Sequence, residues 1–264
     1  SKYEFESFFG EDGELITSGF VVTSNMNGSF ITGSQTLENT ITGGVSNDTL
    51  YGGTQNDSLI AGAGNDILKG GAGDDYLDGG AGIDTADFSD ASEDIDVDLT
   101  SSGSKTISAL LGSDTFVNIE GVIGGTGNDT LTGTNGVNTL IGNEGDDILL
   151  GGGVNGTGYD YIDGGEGVDF VSYSDTSTDV TLDLSNTAIQ NAGDVGSIKI
   201  LGIENLEGGS GNDTLTGNSS SNVIEGLEGN DIIKGLAGND TLDGSAGADT
   251  LYGESSVNAY LLAQ

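Results

Sequence analysis

The chain has 264 residues, 49 of them Gly, and its 43 acidic residues stand against five Lys for a formal net charge of −38. It contains no His, Cys, Pro or Trp, which removes zinc-protease, Ser-His-Asp and thiol-nucleophile chemistry together with any disulfide framework. So acidic a chain repels nucleic acid and anionic membranes and attracts divalent cations, and no apolar run is long enough to cross a bilayer.

In chain order, residues 1–38 come first. ELITSGFVVTSN and GSFITGS alternate apolar and polar residues on either side of Asn27-Gly28, which predicts a β-hairpin packed against the end of the repeats beyond it. No secretory signal is recognisable in the sequence, and upstream domains of a larger protein are expected.

From residue 39 the chain repeats. AGAGNDILK, GGAGDDYLD and GGAGIDTAD are three consecutive nine-residue units of the form Gly-Gly-x-Gly-x-Asp-x-U-x, where U is aliphatic. Asp recurs every nine residues at Asp48, Asp57, Asp66, Asp75 and Asp84, and two residues after each comes Leu50, Leu59, Leu68, Leu77 or Ala86. Asn39 and Ile41 begin the register. Residues 88–119 interrupt it; a second block over 120–171 carries Asp129, Asn138, Asp147, Asp160 and Asp169, with a four-residue insertion before Asp160. Residues 172–203 interrupt again, and a third block over 204–264 carries Asp213, Asn222, Asp231, Asp240, Asp249 and Asn258. DTADFSDASEDIDVDL matches DFVSYSDTSTDVTLDL, so block plus insert is itself a module of about 84 residues. The inserts alternate around Ile95, Val97 and Leu99 and around Val180, Leu182 and Leu184, which predicts hairpin strands folded back over the repeat. That cover would account for apolar outward positions such as Tyr51, Ile60, Ile67, Tyr76, Ile141, Leu150, Tyr161 and Phe170; lateral contact with another protein or copy is the alternative.

The unit has a physical reading. Gly-rich hexapeptides wind into turns that aim several carbonyls to one side, and Asp adds an anionic oxygen at the end of each. The x-U-x tripeptide is extended, with U on one face. A turn and a short strand make half a coil, so two units make one coil of a parallel β-solenoid. Turns on one side are then eighteen residues apart in sequence and about 4.8 Å apart in space. Two carboxylates at ~5 Å repel by roughly 3 kcal/mol at an effective dielectric of ~20, and a cation between them reverses the sign. Oxygen-only donors in a flexible cage select Ca²⁺ over Mg²⁺ and over softer metals.

Over residues 39–261 the repeat resembles the RTX family, the repeats-in-toxin or hemolysin-type nonapeptide proteins secreted by Gram-negative bacteria. The resemblance implies an all-β fold, a right-handed parallel β-roll in three blocks separated by hairpin-like inserts. It also implies calcium between turns eighteen residues apart. The earlier turn gives the carbonyls of its second and fourth residues and its Asp, and the later turn those of its first and third residues and its Asp. Carried over, one site uses Gly62, Gly64 and Asp66 with Gly79, Ala81 and Asp84. Another uses Gly53, Gln55 and Asp57 with Gly70, Ala72 and Asp75, and a third Gly44, Ser46 and Asp48 with Ala61, Ala63 and Asp66. Asp129 pairs with Asp147, Asp147 with Asp169, Asp213 with Asp231 and Asp231 with Asp249, for about seven strong sites in all. The turn glycines Gly125, Gly127, Gly142, Gly145 and Gly164 join the candidates in the second block. Gly209, Gly211, Gly226, Gly229 and Gly244 join in the third, with Asp160 and Asp240 beside them. GTNGVN, GNSSSN and GESSVN lack the Asp and some glycines, so sites at Asn138, Asn222 and Asn258 are doubtful, and the insertion obscures the partner of Asp160.

Other signals fall away. Asp94, Asp96 and Asp98 mimic the start of an EF-hand, but Leu99 and Lys105 stand where Gly and Glu are needed. Gly151, Gly153 and Gly156 match a nucleotide-binding pattern without its strand and helix. Paired acids that could cleave glycosides are better explained as calcium ligands, and the ladder Thr49, Ile67, Thr85 is no flat Thr array for ice. The expected function is therefore a non-catalytic, calcium-folded segment of a large secreted or cell-surface protein of adhesin or surface-layer type. The alternative is the RTX tail of a secreted enzyme whose catalytic domain lies elsewhere.

Overall fold

A computed structural model describes residues 2–4, 20–23, 28–152, 158–253 and 260–263. All of its regular elements are strands, and the chain divides into two units, Ser1–Ile123 and Gly124–Gln264. Among the described residues no helix is long and apolar enough to cross a membrane.

The first unit holds two rows of parallel strands. One row runs Lys2–Glu4, Phe30–Thr32, Thr49–Gly53, Ile67–Gly71, Thr85–Asp87, Gly121–Ile123. The other runs Phe20–Thr23, Asn39–Gly44, Ser58–Ala63, Tyr76–Ala81, Gly112–Val117. Within the repeat, partners are eighteen residues apart, as in Leu50 opposite Leu68 and Leu59 opposite Leu77. The tripeptide after each Asp is extended because it alternates, with U buried and its neighbours facing out. Ile31, Ile41, Leu50, Leu59, Leu68, Leu77, Ala86 and Val122 are completely buried. The core is therefore a file of single aliphatic side chains, two per coil, and sequence period becomes spatial stacking.

The second unit repeats the plan. One row runs Thr130–Thr132, Ile148–Leu150, Phe170–Ser172, Asn205–Glu207, Val223–Glu225, Thr241–Ser245, Tyr260–Ala263. Opposite lie Thr139–Glu144, Asp160–Glu166, Ser197–Leu201, and then Thr181–Asp183, Thr214–Thr216, Ile232–Leu236, Thr250–Gly253. The insertion before Asp160 leaves the register intact: Leu140 still faces Ile162, twenty-two residues on.

Two expectations are corrected. The N-terminal strands form no hairpin with each other; Phe20–Thr23 and Phe30–Thr32 each pair in parallel with a strand of the repeat, so they extend the roll. Asn27 lies outside the described residues. The inserts, too, are more than a cover. Each contains an antiparallel pair, Lys105–Ser108 with Gly112–Val117 and Gln190–Asn191 with Ser197–Leu201. The second strand of each pair continues the roll in parallel, with Phe116 opposite Leu77 and Ile200 opposite Ile162. Thr181–Asp183 likewise runs parallel to Thr214–Thr216. The anticipated cover is partial: Lys69 reaches Asp90 of the first insert at 2.5 Å, while Ile67 and Tyr76 each stay 37% exposed.

Candidate metal centre

The repeat brings each aspartate into register with its counterpart one coil away. The backbone N–H of Asp48 donates to Asp66 Oδ1 at 2.6 Å, that of Asp66 to Asp84 Oδ1 at 2.8 Å, and that of Asp57 to Asp75 Oδ1 at 2.7 Å. In the second unit Asp129 donates to Asp147 and Asp147 to Asp169. Asp213 donates to Asp231, and Asp231 to Asp249. All seven pairs expected from the spacing are thus neighbours. Asp160 takes the N–H of Asn138 at 2.8 Å and Asp240 that of Asn222 at 3.1 Å. Asn258 lies outside the described residues.

The ladder occupies only Oδ1. The second carboxylate oxygen of Asp48, Asp57, Asp66, Asp75, Asp84, Asp147, Asp160, Asp169 and Asp231 is buried without a hydrogen-bond partner. An ionised oxygen left so is expensive and demands a partner. Burial accordingly pushes Asp75, Asp147 and Asp160 up to about 7 and Asp57, Asp169 and Asp231 up to about 6. It also raises Asp66, Asp84 and Asp213. Asp129 and Asp213 differ, because their Oδ2 atoms take the N–H of Gly125 and Gly209, each at 2.8 Å, from their own turns.

Carbonyls converge on the same places. A Cβ on Gly52 would overlap both Asp57 Oδ2 and the Gly70 carbonyl oxygen; one on Gly43 would overlap Asp48 Oδ2 and the Ala61 carbonyl; one on Gly142, Asp147 Oδ2 and the Gly164 carbonyl. Asp57 with Gly70, and Asp48 with Ala61, belong to the ligand sets expected above. Later turns also need glycine for their own conformation. Gly80 and Gly82 have φ of 96° and 158°, and a Cβ on either would run into the carbonyl of Gly62 or Gly64 one coil earlier. Among the described residues no three acidic side chains gather to hold a metal, so any site here pairs two carboxylates with backbone oxygens.

Asn138 marks the cradle independently. Its Nδ2 donates to the carbonyls of Thr134 at 2.8 Å, Gly136 at 2.8 Å and Gly151 at 3.1 Å. Those are the second and fourth residues of its own turn and the first residue of the next, the carbonyls that the repeat pattern reserves for a cation. An amide nitrogen stands at the place the expected ligand pattern gives to an ion. Asn39 donates to the carbonyls of Leu37, the fourth residue of its turn, and of Ser34, the first. Asn222 donates to the Glu204 carbonyl.

Three acidic groups outside the expected ligand set join the ladder, Glu120 and Glu204 as the openings of their blocks and Asp114 off the nine-residue period. Asp84 donates its N–H to Glu120 Oε2 and Asp169 to Glu204 Oε2, while Asp75 donates to Asp114 Oδ1 at 2.9 Å. Asp114 is thirty residues after Asp84, out of step with nine, and its turn lacks most of the glycines. The pentad Gly-Ser-Asp-Thr-Phe over residues 112–116, a match to Gly-Asn-Asp-Thr-Leu at 127–131, was the available signal.

A sequence model of the RTX calcium-binding nonapeptide repeat (4 copies) matches residues 38–59, 51–86, 123–157, 156–175, 201–233 and 225–256, together more than half of the chain. No curated protein matches the chain.

Proposed function

Because this chain belongs to the family of RTX calcium-binding nonapeptide repeats, a structural calcium-binding β-roll, we propose that calcium folds it and that it serves as a non-catalytic segment of a larger secreted or cell-surface protein, of adhesin or surface-layer type. The observation that carries the reading is the file of buried, unpartnered Oδ2 atoms. Without cations, stacking the coils stacks uncompensated carboxylates; with them, the same stacking makes sites. A core of two U side chains per coil is thin against the backbone entropy of ordering so many glycines. Calcium then acts as the staple that disulfides supply elsewhere, and an environment rich in calcium outside the cell is where such a chain folds. Ligands are Asp48, Asp57, Asp66, Asp75, Asp84, Asp147, Asp169, Asp231 and Asp249 with the carbonyls around them.

Circular dichroism with chelator and with millimolar calcium tests this. The expected result is a largely unfolded spectrum in chelator and a β-rich one in calcium. Identical β-rich spectra would show that the apolar core suffices and that the ions are incidental to folding.

A further inference from the structure

We propose that the first insert closes a divalent-cation site of its own, between Asp75 and Asp114, and that this ion pins the insert to the roll, whereas the second insert docks without one. The inference rests on the calcium reading above and extends it to a segment that the repeat does not cover, since the matched stretches end at 86 and resume at 123.

The insert rebuilds a repeat turn from unrelated residues. Thr115 lies opposite Tyr76 and Phe116 opposite Leu77, which sets Asp114 beside Asp75. Gly112, two residues before Asp114, has φ of 90°, and a Cβ there would overlap the Gly73 carbonyl, as one on Gly82 would overlap that of Gly64. The Leu111 carbonyl accepts the Gly73 N–H at 3.0 Å, as the Ala81 carbonyl accepts that of Gly64 at 2.9 Å. Ser113 donates its N–H to Asp74 Oδ1 just as Ile83 donates to Asn65 Oδ1. Three backbone relations of a regular pair of turns therefore recur here.

The side chains complete the case. Asp114 is fully buried and Asp75 is 2% exposed, and the Oδ2 atom of each lacks a partner. Lys69 and Lys105 are engaged with Asp90 and Asp96. Two facing carboxylates and carbonyl oxygens, with no nitrogen or sulfur donor, suit a hard cation of calcium size. In the second insert the matching residues are Gly196, Ser197 and Ile198. Ile198 lies opposite Asp160 and is buried, so the same backbone is closed by an apolar side chain that cannot ligate.

The test compares the full chain with Asp114→Asn and Asp114→Ile. Asn keeps an oxygen for the Asp75 N–H, and Ile copies the residue that the second insert already accommodates. Calcium per chain is measured after dialysis against millimolar calcium, with hydrogen exchange over residues 105–117 and 190–201. Each variant is expected to bind one ion fewer. Asp114→Asn should need several-fold more calcium to protect 105–117, with 190–201 unchanged. Unchanged ion content in folded variants would overturn the proposal, as would failure of both variants to fold at any calcium concentration, because losing one site leaves the other ladders intact. A wild-type chain that binds no calcium would instead sink the underlying reading.

Discussion

Replacing Asn138 by Asp should create a calcium site where the chain now has an amide. The substitution removes donors to the carbonyls of Thr134, Gly136 and Gly151. The amide carries only two N–H donors for them, so at about 1 kcal/mol net for each hydrogen bond roughly 2 kcal/mol is lost. It also sets a carboxylate against those three dipoles and near Asp160, whose Oδ1 now lies 3.4 Å from the amide nitrogen. Two unit charges at ~4 Å repel by about 4 kcal/mol at an effective dielectric of ~20. At limiting calcium the variant should therefore be harder to fold than the wild type. Once an ion enters, the repulsion becomes attraction, and a site held at 100 times its dissociation constant adds ~2.7 kcal/mol. The assay is a calcium titration of the circular dichroism beside the metal content of the saturated protein. The midpoint should move to higher calcium and the content should rise by one ion. An unchanged content at saturation would refute the claim that the amide occupies a cation cradle.

Asp66 touches the aspartates of both neighbouring coils, whereas Asp57 has Asp75 on one side and the Asn39 amide on the other. Asp66→Ala is therefore expected to lower bound calcium by about two ions and Asp57→Ala by about one, read as metal content of refolded protein; equal losses would disprove the eighteen-residue pairing. In chelator, burial raises Asp75 and Asp147 from the usual 3.8 to about 7, so the folded form holds protons that the unfolded form releases. Its stability should then be greatest below pH ~4 and be lost as pH rises through ~7, visible as more β-signal at pH 5 than at pH 8; the opposite trend would argue against desolvated carboxylates.

The fold is legible wherever the signal is periodic. Leu50, Leu68 and Ala86 share one buried file because they share a phase of eighteen residues, and phase is a property of sequence. The N-terminal hairpin expectation fails because Asn27-Gly28 is a local signal, while the pairing of Phe20–Thr23 with Asn39–Gly44 is decided by an exposed strand edge that no local pattern describes. Alternation makes the inserts read as hairpins, but it cannot tell an antiparallel neighbour from a parallel one: Leu182 alternates equally well facing Leu215 in parallel. Asp114 escapes the nine-residue period for a related reason. Backbone geometry, supplied by Gly112 and by pairing with Tyr76–Ala81, restores a turn whose glycines are mostly missing from the sequence.

The two units distribute their carboxylates differently, and that difference bears on how each coil is held. In the first unit one row of turns carries Asp48, Asp66, Asp84 and Glu120, and the other Asn39, Asp57, Asp75 and Asp114. Both edges of that stack would then hold ions. In the second unit Asp129, Asp147, Asp169 and Glu204 form one such row, but the opposite side opens with Asn138, Asp160 and Ile198 before Asp213, Asp231 and Asp249 resume the pairing of acids. There Asp160 meets an amide on one side and an aliphatic side chain on the other. Its carboxyl has no second acid from a neighbouring turn to share an ion with. An amide that donates to three carbonyls, or an isoleucine that fills the space, joins two coils at any calcium concentration. On the proposed function, a pair of ionised aspartates does so only with a cation between them. Substituting Asn or Ile for Asp within one backbone register thus lets the sequence set, coil by coil, which joints depend on calcium without altering the path of the chain.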